Sequence, residues 1–86
     1  MERDHTVHTF YKNAHEEIRI TLREYKERKY LDLRLWFQPP KGGDFRPTRK
    51  GITLGFEFLS ELRRGLEQAS HLGAKLAGQS TVTSVK

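Results

Sequence analysis

The chain has no cysteine, one methionine, one tryptophan and three prolines in 86 residues. Without cysteine there is neither a disulfide framework nor a thiolate nucleophile or metal ligand, and a domain this small has a marginal core. Stability must then come from elsewhere, and association of two copies is the physical expectation. The lack of cysteine also fits a reducing compartment. No run approaches 18 consecutive apolar residues and the N-terminus carries no apolar signal-peptide core, which predicts a soluble, intracellular chain with no membrane partner. That places it in the nucleus of a eukaryote, or in the cytoplasm or nucleoid of a bacterium.

Catalytic signatures are equally scarce. No Ser/His/Asp or Cys/His set can be assembled, and His5, His8 and His15 lack Cys or Asp partners at a metal-ligand spacing, where a structural zinc site needs four ligands. The letters Gly42-Gly43-Asp44-Phe45 coincide with a diguanylate cyclase signature. That chemistry requires a larger domain and further carboxylates around its metals, and Asp44 has no such partner at a matching spacing. Two adjacent glycines are explained as turn residues. The expectation is a non-enzymatic protein without cofactor or metal.

What is present is positive charge, unevenly spread. The net charge is +5, yet residues 19 to 50 carry ten basic side chains against four acidic ones, while the first 18 residues are net negative. A concentrated basic stretch favours a polyanion through counterion release and steering.

Hydrophobic periodicity organises that stretch. Ile18, Ile20 and Leu22 alternate with Arg19, Thr21 and Arg23, and Leu31, Leu33, Leu35 and Phe37 alternate with Tyr30, Asp32, Arg34 and Trp36. Both runs have the period of two of a strand with one buried face. An antiparallel hairpin through Lys26 to Lys29 would put Arg19, Arg23, Tyr25, Arg34 and Trp36 on one wet surface. Pro39, Pro40, Gly42 and Gly43 form a loop. A weaker strand over Phe45 to Arg49, interrupted by Pro47, and a short one over Ile52 to Leu54 complete a four-strand count.

Past Gly55 the period changes to helical. Leu59, Leu62, Leu66 and Ala69 form a stripe widened by Phe58 and Leu76, which predicts a helix to about Leu72, fraying to Leu76. This stripe is broad enough to cover its own sheet and meet a second copy, with Phe58, Leu59, Leu62 and Leu66 as the dimer interface. Residues 1–16 are expected to be a flexible arm with only a short β-prone patch near Val7 to Tyr11. Residues 17–76 form the domain, and 77–86 a disordered tail.

Arginines and lysines beside aromatics on a sheet suit unpaired nucleic acid, the cations holding phosphates and the rings stacking on bases. Candidate contacts are Arg19, Arg23, Tyr25, Lys29, Arg34, Trp36, Phe37, Arg46, Arg49 and Lys50. Alternation turns Trp36 outward and gives Phe37 the parity of the core.

The runs Ile20-Thr21-Leu22-Arg23-Glu24-Tyr25, Leu31-Asp32-Leu33-Arg34-Leu35-Trp36-Phe37 and Arg46-Pro47-Thr48-Arg49-Lys50-Gly51-Ile52-Thr53-Leu54 resemble the transcriptional positive cofactor four, or p15 coactivator, family over about residues 18 to 70. The resemblance implies an α+β fold: a strongly curved four-stranded antiparallel sheet followed by a C-terminal helix, dimerised through the helices. It also implies binding of single-stranded or melted DNA in transcription, in some members in replication or repair. By motif position, Arg23, Tyr25, Arg34, Phe37, Arg46, Arg49 and Lys50 correspond to the family's nucleic-acid contacts. Leu35, Trp36 and the proline-rich loop depart from the family pattern, and the Ser/Lys-rich regulatory arm of the animal coactivator is missing. Two other readings remain open on the residues alone, an RNA-binding chaperone or translational regulator and a dimeric adaptor for acidic proteins. The transcription machinery is a further expected partner.

Overall fold

A computed structural model describes residues 2–79. Four strands, β1 (Glu2–Asn13), β2 (Glu16–Tyr25), β3 (Arg28–Phe37) and β4 (Arg46–Gly55), form one antiparallel sheet in the order β1-β2-β3-β4. A 3-10 turn at Phe56–Phe58 then leads into the helix α1 (Leu59–Gln79).

The central hairpin follows the alternation. In the β2–β3 ladder Ile18 faces Leu35, Ile20 faces Leu33 and Leu22 faces Leu31, while Arg19 faces Arg34 and Thr21 faces Asp32. One face is thus apolar and the other polar. The connection is tighter than the four-residue link expected, since only Lys26 and Glu27 lie between the strands, at φ 51° and 66°. Positive φ at both central residues is the signature of a type I′ turn, whose twist matches that of the strands it joins. Gly42 and Gly43 take φ values of 94° and 99° in the loop before β4, where side-chain-bearing residues are strained.

Three expectations are corrected. The arm is not loose: residues 2–13 are a full edge strand, paired with β2 from Glu2↔Tyr25 to Asn13↔Glu16. Its composition hid this, because an edge strand carrying His5, His8 and charged residues shows little apolar alternation. The β1–β2 turn is local chemistry, with the His15 amide donating to Asn13 Oδ1 at 2.9 Å and Asn13 Nδ2 donating to Glu16 Oε1 at 2.8 Å. Asparagine in a turn commonly bonds the backbone two residues on.

The second correction is that the predicted third and fourth strands are one, with Pro47 and Gly51 inside it. The third concerns the helix. It runs to Gln79, so the predicted tail begins later than residue 77, and the remainder of that tail lies outside the described residues.

The helix also fails to cover its own sheet: beyond half-buried Leu59 and Leu62, it is exposed along residues 63–78. The buried apolar side chains among the described residues are Leu31 and Leu35 alone. The radius of gyration is 16.1 Å, against roughly 12 Å for a compact chain of this length. The stripe is real, but its periodicity does not say what it meets. No helix among the described residues is long and apolar enough to cross a membrane.

Candidate nucleic-acid interface

The register lays the polar face out as rows. Asp4, Arg23 and Tyr30 form one, Thr6, Thr21, Asp32 and Thr53 the next, then Thr9, Arg19, Arg34 and Gly51, then Tyr11, Glu17, Trp36 and Pro47. Like charges opposite each other, as at Arg19 and Arg34, are destabilising unless compensated. Each arginine here has a buried carboxylate two residues earlier on its own strand. Glu17 accepts from Arg19 Nε, and Asp32 accepts from Arg34 at 3.2 and 2.8 Å. The Arg19 guanidinium also lies 3.9 Å from the Trp36 ring centroid, a cation–π contact on that face of the indole.

Arg34 is the most heavily engaged cation. Besides the two bonds to Asp32, Nη1 donates to the Thr48 carbonyl at 3.0 Å and Nη2 to Thr53 Oγ1 at 3.4 Å. Thr53 Oγ1 in turn donates to Asp32 at 2.7 Å. Burial alone would raise the Asp32 pKa. Hydrogen bonds from Arg34 and Thr53 and the charges of Arg34 and Arg23 outweigh it, holding the carboxyl below its ordinary value. The bond to Asp32 likewise raises the Arg34 pKa against burial.

Gly51 makes this arrangement possible. A Cβ there would lie 2.6 Å from the Leu33 carbonyl oxygen and 3.0 Å from both the Arg34 Cα and its guanidinium carbon. Its role is to allow this close approach of backbone and side chain.

Beside this network β4 bulges. The ladder runs from Arg34↔Gly51 directly to Trp36↔Pro47, so Leu35 alone stands opposite Thr48, Arg49 and Lys50. Thr48 staples the bulge, its Oγ1 donating to the Leu35 carbonyl at 2.8 Å and accepting from the Lys50 amide at 3.1 Å. Bulges re-aim side chains. Arg49 and Lys50 are exposed, and among the described residues they and Arg46 have no ion-pair partner.

The predicted site residues therefore do not share one surface. Arg19, Arg23, Tyr25, Arg34 and Trp36 lie on the polar face. Lys29 pairs with Glu24, and Phe37 with Arg46 and Glu16, so these lie on the opposite face. Phe37 is exposed, and Arg46 stands directly across from it. Lys50 and Lys12 line a groove of about 290 Å³ together with Ile18, Leu33, Arg34, Leu35 and Gly51. Sequence reasoning missed Arg28, which pairs with Tyr25 on the polar face. Counting alternation back from Tyr30 would have found it. It also missed Glu17, which holds Arg19 two residues along its own strand, and Asp4, whose cross-strand partner only the register reveals.

The dimer candidates Phe58 and Leu66 are exposed, as are Leu72 and Leu76 farther along α1. Among the described residues no three His, Asp or Glu side chains gather as a metal set.

A meander of four antiparallel strands followed by a helix defines an α+β architecture, here with a basic bulge beside aromatics on its sheet. The family profile "Transcriptional Coactivator p15 (PC4)" matches residues 12–65, and the chain belongs to this family, which is associated with DNA binding and transcription rather than catalysis. A PC4 homolog from Burkholderia pseudomallei is similar in two crystal forms. The orthorhombic form shows 42% identity over 76% of this chain and 86% of its own, with a TM-score of 0.67. The tetragonal form shows 40% identity over 79% and 98%, with a TM-score of 0.70. The bacteriophage T5 homolog of PC4, implicated in recombination-dependent DNA replication, shares the fold at 19% identity, covering 93% of this chain and 98% of its own, with a TM-score of 0.60. No curated protein matches the chain.

Proposed function

We propose that this protein binds single-stranded or melted DNA, largely independently of sequence, and acts in transcription as a coactivator or regulator, or in replication or repair. The observation that carries this reading is the β4 bulge, which holds Arg49 and Lys50, cations with no ion-pair partner among the described residues, beside Arg46 and the exposed ring of Phe37. Cations without internal partners are free to displace counterions from phosphates, and an open ring can stack on a base only where bases are unpaired. Phe37 is the better stacking candidate, since Trp36 already has Arg19 over one face of its ring. Such a protein works where duplex is opened, in the nucleus of a eukaryote or the nucleoid of a bacterium.

Binding is by a homodimer. An exposed helix with Gly65, Gly73 and Gly78 in it has little stability of its own, each glycine costing roughly 1 kcal/mol against alanine. Its apolar stripe and the exposed Ile52 and Phe10 are what a second copy would cover. Competition between matched single-stranded DNA, single-stranded RNA and duplex DNA over a salt series tests the reading, with sedimentation of the same samples reporting a mass of two chains. Preference for single-stranded DNA persisting at moderate salt supports it. Equal weak binding to all three, lost together as salt rises, refutes it, and preference for the RNA assigns the site to RNA instead through its 2′-hydroxyls.

A further inference from the structure

The polar face ends, at the β2–β3 hairpin, in a recess of about 300 Å³ lined by Asp4, Arg23, Glu24, Tyr25, Tyr30 and Thr53. That volume is at the small end of ligand sites. Resting on the single-strand reading above, we propose that this recess is a nucleobase subsite in which the Asp4 carboxylate selects bases carrying an exocyclic amino group.

Three features set the recess apart from the phosphate-binding bulge. Its lining carries two carboxylates, Asp4 and Glu24, against one cation, Arg23, which is already paired with Asp4, so a phosphate gains little there. Its walls include two tyrosine rings, neither of which packs on another aromatic ring among the described residues. Tyr25 is exposed, with the Lys26 ammonium 5.3 Å from its ring centroid on one face, and Tyr30 is half-buried, so a base would meet the other face of Tyr25 and the open part of Tyr30. Finally, its acceptor is placed but not saturated. Asp4 stands opposite Arg23 in the ladder and accepts one bond, from Arg23 Nε to Oδ1 at 3.2 Å. Among the described residues Oδ2 has no hydrogen-bond partner.

A free carboxylate oxygen accepts from the N4 amino group of cytosine, whereas uracil and thymine present a carbonyl at that position and offer it no donor there. Asp4 lies on β1, outside the residues 12–65 that match the family profile. The selectivity thus lies on the first strand, outside the profile match, and is added to a surface that otherwise tolerates any sequence.

The test uses the full chain with oligo(dC) and oligo(dU) of equal length at neutral pH, probes that differ only around position 4 of the base. The wild type is expected to bind oligo(dC) about tenfold more tightly. Asp4→Ala should bring the two within about twofold, and Asp4→Asn, which adds an amide donor, should move the preference toward oligo(dU). Asp4 is an exposed edge-strand residue, and an unchanged thermal transition would establish that the variants fold. Equal wild-type affinity for both probes, or a preference that survives Asp4→Ala, overturns the proposal while leaving single-strand binding intact. Failure of the wild type to bind either probe instead refutes the single-strand reading, and the subsite with it.

Discussion

The centre of the polar face and the β4 bulge beside it are built from the same residue types, yet they use charge in opposite ways. In the centre, Arg19 and Arg34 are locked to Glu17 and Asp32, and Arg34 commits four hydrogen bonds to its own protein. At the bulge, Arg49 and Lys50 project without ion-pair partners among the described residues. A count of basic residues therefore overstates the number of cations free to meet a ligand. The first group gives the sheet its geometry, and the second is available to a ligand. The two are coupled, because the Arg34 bond to the Thr48 carbonyl holds one end of the segment that displays Arg49 and Lys50.

The sharpest way to break this division is Asp32→Ala, which strands Arg34 and the Thr53 hydroxyl. Removing one member of a buried pair should cost about 3 kcal/mol in denaturant unfolding. A loss below about 0.5 kcal/mol would show the network to be dispensable. Replacing both Arg49 and Lys50 with alanine should do the reverse, leaving the thermal transition in place while weakening single-stranded DNA binding about tenfold at moderate salt. The slope of log K against log salt should fall by about 1.4, since each phosphate neutralised on a single strand adds about 0.7 to it. An unchanged slope would mean that phosphates are held elsewhere.

A pH titration separates the groups more finely. The folded-state pKa of Asp32 is depressed, so its stabilising contribution is fully present above the ordinary carboxylate value of about 3.9 and is lost as pH falls through the lower folded value. Asp32→Asn should flatten that part of the acid limb. An acid limb identical to wild type would assign the proton uptake to other carboxylates.

The smallest effect is expected at the hairpin tip. Lys26 and Glu27 occupy left-handed backbone without being Asn or Gly. The pair Lys26→Asn and Glu27→Gly should raise stability by about 1 kcal/mol, read as a higher urea midpoint.

Much of the fold was legible because its signals are local. Ile18 to Leu22 and Leu31 to Phe37 declared two strands and their faces, Gly42 and Gly43 a turn, and Leu59 to Leu66 a helix stripe. The first strand was missed because Glu2 to Asn13 is an edge strand whose side chains are exposed where described, leaving no apolar alternation to read. Within the site, alternation correctly turned Trp36 to the polar face and Phe37 to the other. It could not show that Arg19 would lie over the indole, leaving Phe37 the more open ring.

The sequence by itself determined which residues share a face of each strand, where the chain turns and which helix positions are apolar. These follow from periods of two and 3.6 residues and from glycine, proline and asparagine chemistry, all set within a few neighbours. Only the tertiary structure decided that β1 joins the sheet, that three residues of β4 stand opposite Leu35, that Gly51 lets the Arg34 side chain lie against β4 and reach the Thr48 carbonyl, and that α1 leaves its own sheet uncovered. Each of those depends on hydrogen-bond register or packing between segments far apart in the chain, and no local pattern encodes the register of a partner strand.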